Sequence, residues 1–368
     1  MHYFEKSKTP MCSLSLTYNA GAIYEEDGKR GTMHLMEHLI CKRIDDLQDK
    51  YTNLNIEWNA MTDAQKVVIF INGINTALTE DIKLEFVKRL TDGIFATEDE
   101  FNKEKNIVLQ EYYNCFNDIQ FGNLANYFRT HFNNYYVLGK ADDIENFTYE
   151  DACQVFEKFF KSPTDIIEVD KSKSDFSFVE FNNVPLTTNK LRYKKDYNNA
   201  LEVVPETDTN WQVFTCCKKV VSNKDYPIMQ VIVSILSHGL NSILYQELRE
   251  KRGLIYGISP LLYTHVTGTV CGYSAMTTPE NAEEVVTVIK DVFSNLDKYI
   301  TESRFNDIIN CLKIQLDIDK IYNYSKPTKY KTKLPSRFKS KSKYDKLTLD
   351  DILKVANKYF KKIDIAVM

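Results

Sequence analysis

The same order of strands and helices occurs twice in this chain, once on each side of a polar stretch. In the first half, apolar runs and alternation predict a strand, a helix and a strand at residues 12–18, 33–49 and 65–72. The same kinds of pattern in the second half predict a strand, a helix and a strand at residues 212–218, 226–251 and 267–273. This order predicts an α+β fold with two similar domains, each an antiparallel or mixed sheet packed with helices.

The length of the chain and its polar middle divide it into two parts. A chain of 368 residues is long enough for two domains, each with its own core. Residues 176–200 are polar and only weakly periodic, which is typical of a linker. We therefore predict a first domain at residues 1–175 and a second domain at residues 201–368.

The composition is that of a globular protein without a strong charge bias. Hydrophobic residues make up 43% of the chain, and the formal net charge of −4 gives no general attraction to nucleic acid or to an anionic membrane. The sequence has no apolar run of membrane-spanning length, no signal-peptide pattern at its N-terminus and no C-x-x-C pair among its eight cysteines. We expect a cytoplasmic protein with reduced thiols and no membrane partner.

A basic segment at residues 326–343 leaves one alternative open. Its lysines and arginines could bind nucleic acid or an acidic protein. Few aromatic residues lie among them, and the chain as a whole is acidic. We therefore favour a solvated basic loop and expect no nucleic-acid partner.

The segment His34-Leu-Met-Glu37-His38 carries the clearest chemical signal. Residues four apart on a helix lie one above the other, so both imidazoles can point at one cation. Glu37, three residues after His34, shares that face. One helix can therefore supply two metal ligands and a general base, whereas the alternative is a pair of ordinary surface histidines.

Two imidazoles and a water leave tetrahedral zinc one protein ligand short, and catalytic sites often add a carboxylate. Helix 98–116 offers Glu104 and Glu111, which are two helical turns apart and can face the same way. Composition alone favours an ordinary charged helix face for this pair. Cys41, three residues after His38, is a further alternative, although a packed thiol is the interpretation that we favour.

These residues resemble the pattern of the inverted-motif zinc peptidases, the inverzincins, which include insulin-degrading enzyme, pitrilysin and the mitochondrial processing peptidase. Further segments are similar to the family over most of residues 11–300, among them Ala20-Gly-Ala-Ile-Tyr-Glu25, Asn59-Ala-Met-Thr62 and Leu-Arg-Glu-Lys-Arg-Gly-Leu-Ile-Tyr, which ends at Tyr256. The resemblance implies that Glu111 is the third zinc ligand. It also implies that Glu104 is a carboxylate that orients a ligand.

The resemblance implies roles for two more groups of residues. Arg249 and Tyr256, seven apart, would contact the substrate carbonyl at the zinc. Asn59, Ala60 and Thr62 would lie on a strand beside the substrate, where an extended peptide can add a strand by main-chain hydrogen bonds. From the sequence alone, the ordinary interpretations are that Arg249 forms an ion pair on a helix and that Tyr256 packs in the core.

The resulting hypothesis is a zinc endopeptidase with one Zn²⁺ per chain, held by His34, His38 and Glu111, and with Glu37 as the base. Its substrates would be extended peptides or unfolded protein segments. Because each chain has one copy of each half-site, the resemblance also implies a homodimer with a composite active site. The alternative is a non-catalytic homologue that acts as a structural or assembly subunit.

Overall fold

A computed structural model gives the fold of the chain. It describes residues 1–117, 122–124, 127–128, 131–132, 136–185, 192–193, 211–322 and 338–368. Most of the predicted linker 176–200 and most of the basic segment 326–343 therefore lie outside the described residues. Within the described part of the chain, no helix is both long enough and apolar enough to cross a membrane.

The described residues form two compact units. Residues within 1–118 and 135–187 make up most of the first unit, and residues within 119–134, 188–319 and 333–368 make up most of the second. Each unit contains one sheet packed with helices, which confirms the predicted α+β fold class. The domain limits of 1–175 and 201–368 stay a prediction.

Among the described residues, the first unit has in chain order two strands, two helices, two strands, four helices and a fifth strand. Its strands are β1 His2–Lys6, β2 Met11–Tyr18, β3 Glu57–Thr62, β4 Val67–Ile74 and β5 Asp165–Asp170. Its helices are α1 Thr32–Cys41, α2 Asp45–Lys50, α3 Glu80–Thr91, α4 Glu98–Asn117, α5 Ala141–Glu145 and α6 Tyr149–Val155. Turns of 3-10 helix lie at Ala22–Tyr24, Lys42–Ile44 and Thr52–Leu54, and a π-helical turn follows α6 at Phe156–Phe160.

The five strands form one mixed sheet in the order β1-β5-β2-β4-β3. Only β1 and β5 run parallel; the other neighbours in this sheet are antiparallel. Helix α1 packs on β3 and β4 and also contacts α4. Leu35 and Leu39 of α1 join Leu14 and Leu16 of β2 in the core, so the sheet holds this helix by apolar burial. Strand β3 forms one edge of the sheet.

The second unit has the same kinds of element. Its strands are β6 Trp211–Cys217, β7 Ile255–His265, β8 Gly268–Thr277 and β9 Ile363–Val367. Its helices are α7 Tyr226–Ser237, α8 Ile243–Tyr245, α9 Ala282–Ser294, α10 Leu296–Tyr299, α11 Glu302–Tyr322, α12 Lys341–Tyr344 and α13 Leu349–Phe360. A π-helical turn at Gln246–Glu250 follows α8, and a 3-10 turn lies at Pro279–Asn281. The strands form an antiparallel sheet in the order β7-β8-β6-β9.

The prediction of one continuous helix at residues 226–251 is wrong, because the structure interrupts it. Helix α7 ends at Ser237, and the chain turns before α8 begins at Ile243. Gly239 lies in this turn with a φ of +77°, a left-handed conformation that ends a helix and that glycine adopts without steric cost. Continuous apolar periodicity hid the break, because both segments bury side chains in the same core.

A buried charge network joins α3 to β5 in the first unit. Lys83 is only 2% exposed, and its Nζ lies 2.9 Å from Glu168 Oε1, 2.8 Å from Asp170 Oδ2 and 2.7 Å from Ser174 Oγ. Although burial opposes ionisation, hydrogen bonds from His2, Ser174 and Lys83 lower the pKa of Glu168 to about 2. The carboxylate is therefore held ionised by its partners inside the protein.

Replacing Lys83 by methionine leaves two buried carboxylates without their cation. We expect Lys83→Met to lower the free energy of unfolding by about 3–5 kcal/mol, measured by urea denaturation. Lys88→Met on the exposed face of the same helix is the matched control, with an expected change within about 0.5 kcal/mol. Equal stability of the two variants would contradict a structural role for the network.

Candidate metal centre

The N-terminus of α1 is held by a buried carboxylate rather than by a side chain of the helix itself. Glu25 Oε2 accepts a hydrogen bond from the Gly31 N–H at 3.0 Å, and Oε1 accepts one from the Met33 N–H at 2.8 Å. The Thr32 hydroxyl instead donates to the Lys29 carbonyl. Gly31 has a φ of +93°, and a Cβ there would lie 2.7 Å from the Leu138 carbonyl oxygen. The start of α1 therefore requires glycine.

Helix α1 carries His34 and His38 one turn apart, as their spacing predicts. Their ring centroids are 4.9 Å apart and the rings are nearly perpendicular, at 87°. Glu111 of α4 meets them, with its Oε2 3.8 Å from His34 Nε2 and 3.7 Å from His38 Nε2. Among the described residues these three side chains form a group whose ligand atoms all lie within 4.8 Å of one another.

This donor set fits a small divalent cation. Ligand atoms of a tetrahedral zinc site with bonds near 2 Å are about 3.3 Å apart, somewhat less than the 3.8 and 3.7 Å between Glu111 Oε2 and the two imidazole nitrogens. Burial and the neighbouring His38 lower the pKa of His34 to about 4, so His34 is neutral and its lone pair is available at neutral pH. The remaining side of the site is not fully enclosed, because the Glu111 side chain is 43% exposed.

Glu37 lies on the same helix between the two histidines in sequence. Its carboxylate is buried, and Oε2 accepts a hydrogen bond from the Thr62 hydroxyl of β3. Burial raises the pKa of Glu37, and the hydrogen bond from Thr62 opposes that rise. The base predicted from sequence is therefore held by a neutral donor from the adjacent edge strand.

Glu104 contacts His38 rather than the ligand cluster as a whole. Its buried carboxylate uses both oxygens: Oε2 lies 3.1 Å from His38 Nδ1, and Oε1 lies 3.0 Å from Lys42 Nζ. A carboxylate on the second ring nitrogen is the usual support of a metal-binding histidine. Lys42 also lies 2.8 Å from Asp45 Oδ2, and the hydrogen bonds to Asp45 and Glu104 raise the pKa of Lys42.

Cys41 is the alternative ligand considered from the sequence. It is not part of the group formed by the two histidines and Glu111, and it packs against the hydrophobic core of the first unit. Burial raises the pKa of its thiol, which disfavours the thiolate that a metal needs. The geometry supports the packed-thiol interpretation.

The three residues predicted to line the substrate do not share one face of β3. Burial alternates along the strand, so Ala60 and Thr62 lie on the partly buried face with Trp58. Asn59 and Met61 lie on the opposite, exposed face. The two faces of the strand therefore present different side chains, and within the described residues its second edge pairs with no strand.

Arg249 and Tyr256 belong to the second unit and lie together there. The Arg249 guanidinium carbon is 5.1 Å from the centroid of the Tyr256 ring and 5.0 Å from that of Tyr245. A register shift between Ile255 and Gly257 leaves Tyr256 in a bulge of β7, and 83% of this tyrosine is exposed. The structure thus pairs the two predicted residues on one surface, with Tyr245 as an additional neighbour.

Sequence reasoning missed three supporting residues: Glu25, Lys42 and Tyr245. The position of Lys42 near the site could have been predicted from the sequence, because it follows His38 by four residues and continues the same helical face. The same holds for Tyr245, which precedes Arg249 by four residues. Glu25 lies in a segment that resembles the family, but its contact with α1 depends on how the preceding loop folds, which the sequence pattern does not express.

Two family models match the chain in succession. The model described as "Insulinase (Peptidase family M16)" matches residues 2–127, and the one described as "Peptidase M16 inactive domain" matches residues 146–312. Together they cover most of the chain. The chain belongs to the insulinase family of peptidases.

Named relatives agree with membership of the insulinase family. A protein called "Zinc protease PqqE" from Helicobacter pylori is 26% identical over 275 residues, which are 68% of this chain and 61% of that protein. The mitochondrial-processing peptidase subunit beta of Rattus norvegicus is 22% identical over 43% of this chain and 34% of its own length. The matched segments thus span less than two thirds of either relative.

The fold of the chain is also similar to that of solved structures. The crystal structure of a protease from Helicobacter pylori superposes with a TM-score of 0.75 at 19% identity. The superposition covers 99% of this chain and 95% of that one. At this identity the likeness establishes the fold, and the chemistry must be argued from the residues themselves.

Proposed function

We propose that the chain is a zinc-dependent endopeptidase that hydrolyses peptide bonds in extended peptides or unfolded protein segments. The observation that carries this proposal is the convergence of His34, His38 and Glu111 on one point beside the buried carboxylate of Glu37. Two ligands and a base on one helix, with a carboxylate from a second helix, are the parts that metal-assisted hydrolysis needs.

A bound zinc ion would lower the pKa of a water and polarise the scissile carbonyl. Glu37 is the group in this chain that can accept the proton of the attacking water and later pass it to the leaving amine. The Thr62 hydroxyl holds one oxygen of Glu37, which restricts the rotation of the carboxylate. Thr62 therefore acts on the base rather than directly on the substrate in this proposal.

The edge of β3 would bind the substrate backbone. Within the described residues β3 pairs with β4 alone, so its second edge can accept an extended peptide as an added strand. Main-chain hydrogen bonds give affinity for extended segments with loose side-chain preference. A folded protein would not present such a strand, which explains the proposed substrate class.

Arg249 and Tyr256 would complete the site from the second half of a chain. The guanidinium and the phenol are both hydrogen-bond donors, and charge that develops on a carbonyl oxygen is stabilised by such donors. We propose that these residues act across a homodimer, so that one subunit contributes them to the zinc site of the other.

The location of the protein in the cytoplasm stays a prediction, as does the lack of a nucleic-acid partner.

A second candidate function is that of a non-catalytic structural or assembly subunit. The observation that favours it is the match of residues 146–312 to a family model that is described as an inactive domain. This alternative predicts a folded protein that cleaves no peptide, even when zinc is supplied. The complete set of His34, Glu37, His38, Glu104 and Glu111 leads us to favour the enzyme.

Glu37→Gln tests the proposed enzyme against that alternative. The amide keeps the size of the side chain but cannot accept a proton, so we expect peptide hydrolysis to fall by at least about a hundredfold. Zinc content, measured by atomic absorption, should stay near one ion per chain. Wild-type protein that binds zinc yet cleaves none of a library of unfolded peptides would support the structural subunit instead.

Thr62 allows a sharper test of how the base is held. We expect Thr62→Val, which removes the hydroxyl but keeps the shape, to lower kcat about tenfold with KM unchanged, whereas Thr62→Ser stays within about threefold. Thr91→Val in α3 is the matched control, because it removes a hydroxyl that bonds only locally to Val87. A rise in KM with unchanged kcat would instead place Thr62 among the substrate contacts.

The composite site is tested by mixing two inactive proteins. We expect Glu37→Gln and Arg249→Ala chains to regain activity when mixed under conditions of subunit exchange, because a mixed dimer contains one intact site. Mass spectrometry of the intact dimers verifies the exchange. Exchange without recovery of activity would show that each chain acts without residues from a partner.

A further inference from the structure

Lys42 occupies a position that the proposed chemistry has not used. It follows His38 by four residues, at the end of α1, so that His34, His38 and Lys42 lie along one face of the helix. Its side chain is 34% exposed, and its Nζ turns toward the buried Glu104 carboxylate at 3.0 Å. A cation one turn beyond the ligands thus contacts the carboxylate that supports one of them.

Glu104 is the link between this cation and the metal centre. Its side chain is 5% exposed, and each oxygen has a separate partner, His38 Nδ1 for one and Lys42 Nζ for the other. Without Lys42, one oxygen of a buried carboxylate would lose its partner, and the carboxylate could rotate away from the imidazole. The direction of the His38 ring, and hence of its Nε2, therefore depends on both contacts.

The two histidines differ in this support. His34 Nδ1 is buried and has no hydrogen-bond partner within the described part of the chain. His38 is held through Glu104 and Lys42. Of the two rings, His38 is thus the one whose Nδ1 has a polar partner among the described residues. Lys42 is the last residue in this series of contacts.

We propose that Lys42 is a positioning residue of the metal centre: acting through Glu104, it fixes the His38 imidazole and so sets how tightly the site binds zinc. The inference rests on the proposed function, since it assumes that the site binds zinc. It adds a residue three contacts away from the metal position that does not itself touch metal, substrate or reacting atoms.

Zinc affinity, measured on the full-length chain by competition with a chromophoric chelator, tests the proposal without any assay of catalysis. We expect Lys42→Met to weaken zinc binding about tenfold, the lower end of the range for partners outside the ligand sphere, and Lys42→Arg to stay within about threefold of wild type. Asp45→Asn is the matched control, because it removes the other partner of Lys42 and leaves Glu104 in place. It should change the affinity less than about twofold.

The contact with Glu104 is tested by a double-mutant cycle. If Lys42 acts through Glu104, Lys42→Met should have little further effect in a Glu104→Gln background. Unchanged zinc affinity in Lys42→Met, an equal loss in Asp45→Asn, or full additivity with Glu104→Gln would each overturn the inference while the proposed enzyme stands. A wild-type chain that binds no zinc would overturn the proposed function, and this inference with it. Thermal unfolding of the metal-free variants verifies that each is folded.

Discussion

The contact between α1 and α4 is the constraint on which the candidate site depends. The spacing of His34 and His38 places two imidazoles on one face, but a helix surface alone cannot surround a cation. Phe101, Glu104, Val108 and Glu111 form a stripe along α4, of which Phe101 and Val108 belong to the hydrophobic core. Burial of these apolar residues fixes α4 against the unit, and the two carboxylates between and beyond them are thereby brought to the histidines. Ordinary apolar packing and the candidate metal centre are therefore parts of one arrangement.

Local periodicity predicted much of the fold, and its failures have physical causes. The α+β class, β2, β4, β6 and most helices follow from patterns that a short window contains. Strand β1, with the sequence His-Tyr-Phe-Glu-Lys, has no apolar alternation that predicts a strand, and it gains its place from parallel pairing with β5, far away in sequence. Strand β7 contains Pro260 and a bulge, and β9 pairs with β6 from the other end of the second half. Such pairings depend on tertiary contacts that no local pattern expresses.

The candidate site divides in the same way. The proposed ligands and the proposed base could be predicted because helical spacing determines which side chains share a face. The partners of those residues were harder to find. The hydroxyl of Thr62 reaches Glu37 from a neighbouring strand, and Glu25 reaches the start of α1 from a loop. The relation of Thr62 to the substrate was expected from a resemblance, whereas its contact with the base is a property of how β3 lies beside α1. The spacing of residues predicts which side chains share one face of a helix or strand. Which residues of other elements contact that face depends on tertiary packing.

The free edge of β3 has a cost that concerns solubility rather than catalysis. A strand that would have to stay unpaired for the proposed peptide to join it is equally open to the strand of another molecule, and such edges are sites of aggregation. The strand is short, with six residues, and begins at the exposed, charged Glu57. Both features weaken indiscriminate association while leaving the backbone groups accessible. A protein with the proposed function would have to balance capture of unfolded chains against association with its own copies.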